Sequence, residues 1–180
     1  AGHIVGLIGP NGAGKSTAMR AITGLMSYSS GNITFEGQPV TFSNHQALGK
    51  IGNLIEYPSI YPNLTALEHL KLYAMDTDNP ADFKTLMKQT QIDGENFGKR
   101  KAKNFSLGMK QRLGIAIALI RNPKLVILDE PMNGLDPQSV HDLRRLIREL
   151  ADTGVAFLIS SHLLDELQKL VDDVVIINHG

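Results

Sequence analysis

Near its beginning the chain reads Gly9-Pro10-Asn11-Gly12-Ala13-Gly14-Lys15-Ser16-Thr17, directly after an apolar run at residues 4–8. The pattern G-x-x-x-x-G-K-S predicts a strand, a loop and a helix, because small residues let successive backbone N–H groups turn inward around phosphate oxygens. In such a loop Lys15 reaches the outer phosphates, the Ser16 hydroxyl can ligate Mg²⁺, and the positive end of the next helix faces the same anion. The segment therefore predicts binding of a nucleoside triphosphate with Mg²⁺, and all nine loop residues are candidate ligands.

The composition indicates a globular chain without a strong overall charge. With 180 residues, 42% of them apolar, the chain can bury the core of one domain with at most a subdomain. Eighteen basic residues balance eighteen acidic ones, so no global field favours nucleic acid or an anionic membrane. The chain has no cysteine, which excludes disulfides and thiol chemistry. Its longest apolar stretch, residues 113–120, is far shorter than the roughly 20 residues that cross a bilayer.

Four short apolar runs that do not alternate predict strands buried on both faces of a mostly parallel sheet. They occupy residues 4–8, 125–128, 155–159 and 174–177. Helical patterns lie between them, at residues 15–25, 137–150 and 163–170. Residues 31–40 instead alternate apolar and polar side chains around a turn, which predicts a small antiparallel element exposed on one side.

The middle of the chain has a different character. Three helical patterns, at residues 65–74, 80–90 and 106–120, predict a helical subdomain over residues 57–122. Residues 1–56 and 123–180 would then form the core, which we expect to be truncated at both ends because predicted core strands lie close to each terminus. The predicted fold class is α/β: a P-loop NTPase core with a mostly parallel sheet, a small antiparallel β element and an inserted helical subdomain.

A second motif places two carboxylates at the end of a buried strand. The run Leu125-Val126-Ile127-Leu128 is followed directly by Asp129 and Glu130. Beside a phosphate loop, Asp129 can hold Mg²⁺ and Glu130 can point toward an attacking water. The combination predicts hydrolysis of the bound nucleotide.

A third motif shortly before that strand resembles the signature of ATP-binding cassette (ABC) proteins. Residues 104–113 read N-F-S-L-G-M-K-Q-R-L, whereas the commonest family form is L-S-G-G-Q followed by a basic residue, Gln and Arg. The matching positions are Ser106, Gly108, Lys110, Gln111 and Arg112, and the departures are Leu107 and Met109. The resemblance implies that Ser106 and Gly108 contact ATP held by the loop of a second cassette, so that two cassettes close head to tail around two nucleotides.

Two further landmarks follow in the family's order. Asn133-Gly134-Leu135-Asp136 resembles the loop that communicates across the dimer, and Asp136 is its candidate nucleotide-site residue. Ser160-Ser161-His162 resembles the switch histidine, which implies that His162 contacts the γ-phosphate and orients Glu130 and the water. The predicted catalytic residues are therefore Lys15, Glu130 and His162.

One departure from the family bears on the metal. Residues 51–58 resemble the loop that joins the core to the helical subdomain, where most members carry Gln and this chain carries Glu56. A carboxylate is a harder Mg²⁺ ligand than an amide but adds negative charge near the phosphates. The predicted metal ligands are Ser16, Glu56 and Asp129. The Glu56 variant and the F-S-L-G-M-K-Q-R-L signature resemble the bacterial lantibiotic-immunity and bacitracin-resistance branch of exporters.

The resemblance implies an ATPase that converts ATP and water to ADP and phosphate and drives a bacterial exporter for antimicrobial peptides or antibiotics. Its implied partners are a separate integral-membrane permease and a second nucleotide-binding domain, with no nucleic acid. Its implied location is cytoplasmic, peripheral at the inner face of the cell membrane. We expect the permease to dock on residues 57–61 and on the helices after Thr65. The sequence does not name the exported compound.

Two alternatives belong to other classes. A soluble ABC-type ATPase of DNA repair, chromosome organisation or translation would carry inserted coiled coils or zinc modules, or two cassettes joined by a charged linker. Neither pattern occurs between the phosphate loop and the signature or elsewhere in this chain. A non-hydrolysing regulatory cassette is disfavoured because Lys15, Asp129, Glu130 and His162 are all present.

Overall fold

The computed structural model describes residues 2–41, 43–56, 59–94, 97 and 99–178. In chain order the elements are β1 (Ile4–Ile8), α1 (Lys15–Ile22), β2 (Thr34–Phe35), β3 (Gln38–Pro39), α2 (His45–Leu48), β4 (Ile51–Leu54), α3 (Ala66–Tyr73), α4 (Phe83–Gln89), a 3₁₀ turn (Ala102–Asn104), α5 (Leu107–Leu119), β5 (Leu125–Leu128), α6 (Pro137–Asp152), β6 (Ala156–Ser161), α7 (Leu164–Leu167) and β7 (Asp173–Ile176). Tyr57 and Pro58, which belong to the predicted docking segment, lie outside the described residues.

Five parallel strands form the central sheet in the order β4-β5-β6-β1-β7. Because all five run in the same direction, their carboxyl ends meet at one edge of the sheet. The phosphate loop follows β1, Asp129 follows β5, His162 follows β6 and Glu56 follows β4. The topology alone therefore brings four separated motifs to one edge.

Apolar side chains bury the middle of this sheet on both faces. Ile127, Leu128 and Phe157 are at most 1% exposed, as the uninterrupted apolar runs of β5 and β6 predict. The predicted strand near residue 175 is also present, but the expectation that it is buried is wrong. It forms β7 at the edge of the sheet, where Val175 is 49% and Ile176 75% exposed.

The strand β4 was not predicted, because residues 51–54 were interpreted as part of a connecting loop. They pair in parallel with β5, in the register Ile51 to Leu125. Helix α5 packs on this strand at Gly52, where a Cβ atom would lie 2.2 Å from the carbonyl oxygen of Ala118. Only a glycine permits that approach, since real Cβ atoms do not come so close to a backbone oxygen.

Capping side chains set the helix boundaries. Thr65 and Glu68 form a reciprocal capping box at the start of α3, and Ser106 caps α5 by accepting from the N–H of Met109. Helix α4 begins at Phe83 rather than at residue 80, because the Asp82 side chain accepts from the first turn. Helix α7 covers only four residues of the predicted span 163–170.

The helices of the middle segment pack on one another and on the sheet. Helix α5 contacts α3, α4 and β4, and its inward face joins the main apolar core. The small antiparallel element is confirmed as β2 and β3, in which Phe35 lies opposite Gln38. Within the described residues no helix is long and apolar enough to cross a membrane. The mixed α/β class with a parallel sheet and a separate antiparallel pair is confirmed.

Candidate nucleotide-binding site

The loop between β1 and α1 has the backbone conformation that its glycines predict. Gly14 caps α1 at φ +99°, and Gly12 lies at φ +83°, in the left-handed region that disfavours other residues. A Cβ atom on Gly9 would lie 2.3 Å from the carbonyl oxygen of Ile177, so only glycine fits there. The loop therefore presents the free N–H groups at the start of α1, which favour an anion.

The Lys15 side chain folds back across this loop. Its Nζ donates to the carbonyl oxygens of Gly9 at 2.7 Å and Pro10 at 3.1 Å, and the residue is only 6% exposed. Nζ also lies 3.5 Å from Glu130 Oε1. The ammonium is thus held at the mouth of the loop, where it can exchange carbonyl oxygens for phosphate oxygens.

Ser16 and Asp129 place two oxygen ligands side by side. Ser16 Oγ donates to Asp129 Oδ2 at 2.6 Å, and Asp129 is 7% exposed. A hydroxyl and a carboxylate beside a triphosphate loop fit Mg²⁺, which keeps several waters and takes one or two carboxylates plus phosphate oxygens. Among the described residues no group of three or more His, Cys, Asp and Glu side chains is placed to hold a metal ion.

Glu130 lies between a cation and a histidine. His162 Nδ1 is 2.7 Å from Glu130 Oε2, while Lys15 approaches the other carboxylate oxygen. The Glu130 backbone has φ +48°, which is uncommon for a residue with a side chain. Its N–H donates to Ser160 Oγ at 2.8 Å, so a hydrogen bond to β6 anchors the backbone at this position.

Ser160 joins the two carboxylate residues, although it was not among the predicted site residues. Its fully buried hydroxyl accepts from the Glu130 N–H and donates to Asp129 Oδ1. The only sequence signal for it was its place two residues before His162, because its partners are about thirty positions away. The bridging hydroxyl ties the end of β5 to the end of β6.

The phosphate loop, Glu130 and His162 border an open cleft of about 290 Å³. The residues that line it are Asn11, Gly12, Gly14, Lys15, Ser16, Thr17, Glu130, Asn133 and His162. Asn133 was quoted only as part of a family motif and not predicted as a site residue. The cleft therefore contains all three predicted catalytic residues, Lys15 of the phosphate loop together with Glu130 and His162.

Other predicted residues lie apart from this cleft. The Glu56 carboxylate forms an ion pair with Arg20 rather than contacting Ser16 or Asp129. Asp136 accepts from Ser139 N at 3.0 Å and Ser139 Oγ at 2.5 Å, and these bonds, the side-chain one foremost, lower the pKa of Asp136.

Ser139 also lies against the signature. A Cβ atom on Gly108 would be 3.2 Å from Ser139 Oγ, and Ser106 caps the same helix start. Ser106, Gly108 and Asp136 therefore form a second group around the first turn of α6, and none of them lines the cleft.

Comparison with known proteins agrees with this arrangement. Residues 1–133 match the family described as ABC transporter. The chain is 46% identical over 179 residues to the lantibiotic transport ATP-binding protein SrtF of Streptococcus pyogenes, covering 99% of this chain and 76% of SrtF. It is 43% identical over 184 residues to the bacitracin transport ATP-binding protein BcrA of Bacillus licheniformis, covering 99% of this chain but only 59% of BcrA.

Solved structures show the same architecture. CbiO1 from Clostridium perfringens, part of the ABC transporter complex cbiONQ, superposes with a TM-score of 0.88 at 28% identity, covering 99% of this chain and 74% of that one. The ATP-binding cassette MJ1267 in its ADP conformation superposes with a TM-score of 0.84 at 27% identity, covering 99% and 78%. The likeness extends over the whole described fold.

Proposed function

We propose that this chain, which belongs to the ABC transporter family, drives a bacterial exporter that confers resistance or immunity to antimicrobial peptides or antibiotics. As a cassette of that family it binds nucleotide and is the ATPase subunit of a transporter. The names of SrtF and BcrA, which act in lantibiotic and bacitracin transport, support the class of exported compound. The same relatives favour transport over a role in DNA repair, chromosome organisation or translation.

One observation carries the hydrolytic assignment: Glu130 lies at the cleft between Lys15 and His162, beside the Ser16–Asp129 pair. Glu130 accepts a hydrogen bond from the attacking water and polarises it toward the γ-phosphorus. Lys15 moves from the loop carbonyls to the outer phosphate oxygens and neutralises charge that develops there. His162 holds the Glu130 carboxylate in place and donates toward the γ-phosphate.

Mg²⁺ held by Ser16 and Asp129, with Glu56 as a third ligand, would draw charge from the outer phosphates. The loop N–H groups and the start of α1 bind the phosphates, which leaves the protein to supply mainly positioning and electrostatic stabilisation. Closing the cleft excludes bulk water, so only the water at Glu130 attacks.

The second group of residues supports a dimer. Ser106, Gly108 and Asp136 sit around the first turn of α6 and do not line their own chain's cleft. We propose that they complete the cleft of another copy in a head-to-tail dimer, so that two nucleotides are bound between two chains. A cassette alone would then hydrolyse ATP slowly.

The second proposed partner is a separate integral-membrane permease. Residues 57–122 act as the helical subdomain that carries the signature, and residues 1–56 and 123–180 as the ATP-binding core. The permease docks on residues 57–61 and on the helices after Thr65, and among these Tyr61 is 52% and Leu72 38% exposed. Binding there places the chain at the inner face of the cell membrane, on the cytoplasmic side.

Co-purification tests the transport function. The full-length protein is isolated from detergent-solubilised native membranes, with and without ATP and Mg²⁺, and its partners are identified. A polytopic membrane protein that co-purifies supports the exporter function. Soluble or nucleic-acid partners alone, with nothing from the membrane, would overturn it while leaving the ATPase chemistry intact.

A further inference from the structure

The side chain of Glu56 already has a partner in this structure. Its carboxylate forms an ion pair with the guanidinium of Arg20 on α1. Glu56 lies two residues after the end of β4, and its φ of +66° is uncommon for a residue with a side chain. Among the described residues, Glu56 is the only carboxylate that pairs with Arg20.

Arg20 stands close to the proposed metal ligands. It lies four residues after Ser16 on α1, and residues four apart share one face of a helix. With a rise of about 1.5 Å per residue, the two positions are separated by about 6 Å along the helix axis. Ser16, which contacts Asp129, and Arg20, which contacts Glu56, therefore lie on the same face of α1.

A single carboxylate cannot serve both positions fully. The structure pairs Glu56 with Arg20 while Ser16 pairs with Asp129, and a cation beside Ser16 would draw on the same negative charge of Glu56, so pairing with Arg20 and ligation of that cation compete. The charge of Arg20 also affects nucleotide binding. When Glu56 is neutralised by Arg20 it repels bound phosphates less than a free carboxylate would.

We propose that Arg20 is a positioning residue that holds Glu56 away from the metal site and releases it when Mg²⁺ arrives with the nucleotide. The inference rests on the proposed role of Glu56 as a metal ligand. Two opposite effects follow if Arg20 is removed. The freed Glu56 carboxylate strengthens binding of the metal–nucleotide complex, and it weakens binding of nucleotide without metal.

The ratio of two dissociation constants measures both effects together. A fluorescent, non-hydrolysable ATP analogue is titrated into the full-length protein, once in EDTA and once in saturating Mg²⁺. The Kd in EDTA divided by the Kd in Mg²⁺ gives the coupling between metal and nucleotide. Four proteins complete a double-mutant cycle: the parent, Arg20→Gln, Glu56→Gln and the double variant.

We expect Arg20→Gln to raise this ratio about two- to fivefold, the range that an exposed ion pair supports. In the Glu56→Gln background the same substitution leaves the ratio unchanged, because there is no carboxylate to release. Arg20→Lys retains the charge and keeps the parental ratio. Arg145→Gln removes another exposed arginine, one that pairs with Glu149 on α6, and it serves as the control.

The outcomes distinguish a failure of this inference from a failure of the proposed metal-binding role of Glu56. The role of Arg20 is overturned if Arg20→Gln changes the Kd ratio equally in the parent and in the Glu56→Gln background. It is also overturned if Arg20→Gln leaves the ratio unchanged while Glu56→Gln alters it. Either result leaves Glu56 as a metal ligand. An unchanged ratio in Glu56→Gln overturns the metal role of Glu56 and the inference together. Failure of every protein to bind the analogue would contradict nucleotide binding itself.

Discussion

Replacing Ser160 by alanine removes the one hydroxyl that bridges the two carboxylate residues. Ser160 Oγ accepts from the Glu130 N–H at 2.8 Å and donates to Asp129 Oδ1, and the side chain is fully buried. Each buried polar group left without a partner costs about 1–3 kcal/mol. Because the Glu130 N–H is only partly buried, we take the lower end for both groups and expect a loss of about 2 kcal/mol.

This loss has two measurable consequences. For a chain of this size about 2 kcal/mol lowers Tm by roughly 4–8 °C, which a thermal melt followed by circular dichroism detects. The Glu130 backbone, no longer anchored by this hydrogen bond, also misplaces its carboxylate, and a misplacement of about 1 Å costs on the order of 10²-fold in rate. Phosphate release by the full-length protein measures that second effect.

The control for this variant is Ser139→Ala, which also removes a hydroxyl but one that lies outside the cleft. Because Ser139 is only partly buried and its hydroxyl donates to the exposed Asp136, we expect a loss of about 0.5–1.5 kcal/mol, and therefore a smaller fall in Tm than for Ser160→Ala. A Ser160→Ala protein whose Tm and single-turnover hydrolysis both match the parent would refute the bridging role of Ser160.

Three further substitutions test other parts of the structure. Gly9→Ala places a Cβ atom 2.3 Å from the Ile177 carbonyl oxygen, so nucleotide binding by fluorescence titration should be lost or reduced at least about tenfold; parental affinity would contradict the packing of the loop. His69→Ala removes a fully buried ring that accepts from the Tyr61 N–H, and urea unfolding should show a loss of about 2–4 kcal/mol; a loss below about 1 kcal/mol would contradict it. For Asp172, the backbone N–H of β1 and then an arginine of α6 lower the carboxyl pKa, so its contribution to stability is complete above the unfolded pKa of about 3.9 and is lost as pH falls through the folded value. Asp172→Asn should therefore have a lower Tm than the parent near neutral pH, and this difference in Tm should shrink in acid. A difference in Tm that does not depend on pH would contradict this.

Contiguous motifs made much of the fold and site predictable from the sequence. The phosphate loop carries its own conformation, because Gly12 and Gly14 allow the left-handed turns that expose N–H groups to an anion. The run before Asp129 predicts a buried strand, and a parallel sheet brings its end to the loop. For this part of the site, the composition of the segments and the rule that parallel strands end at one edge of the sheet were sufficient for the prediction.

The remaining features depend on partners that are far apart in the sequence. Strand β4 is four residues long and includes the exposed Asn53, so its apolar pattern was too short to separate it from a loop. The bridging role of Ser160 and the ion pair of Glu56 with Arg20 arise only when distant segments meet. A sequence pattern records which residues are present but not which of several possible partners each one reaches.

The role of Glu130 is the central claim, and its replacement by Gln tests that claim most directly. Gln keeps the size of the side chain but cannot polarise water as a carboxylate does. The full-length Glu130→Gln protein should bind ATP with an affinity close to that of the parent, while single-turnover hydrolysis falls by about 10²–10⁴, the usual contribution of a positioned base. Hydrolysis at the parental rate with binding intact would contradict the assignment of Glu130 and with it the proposed mechanism.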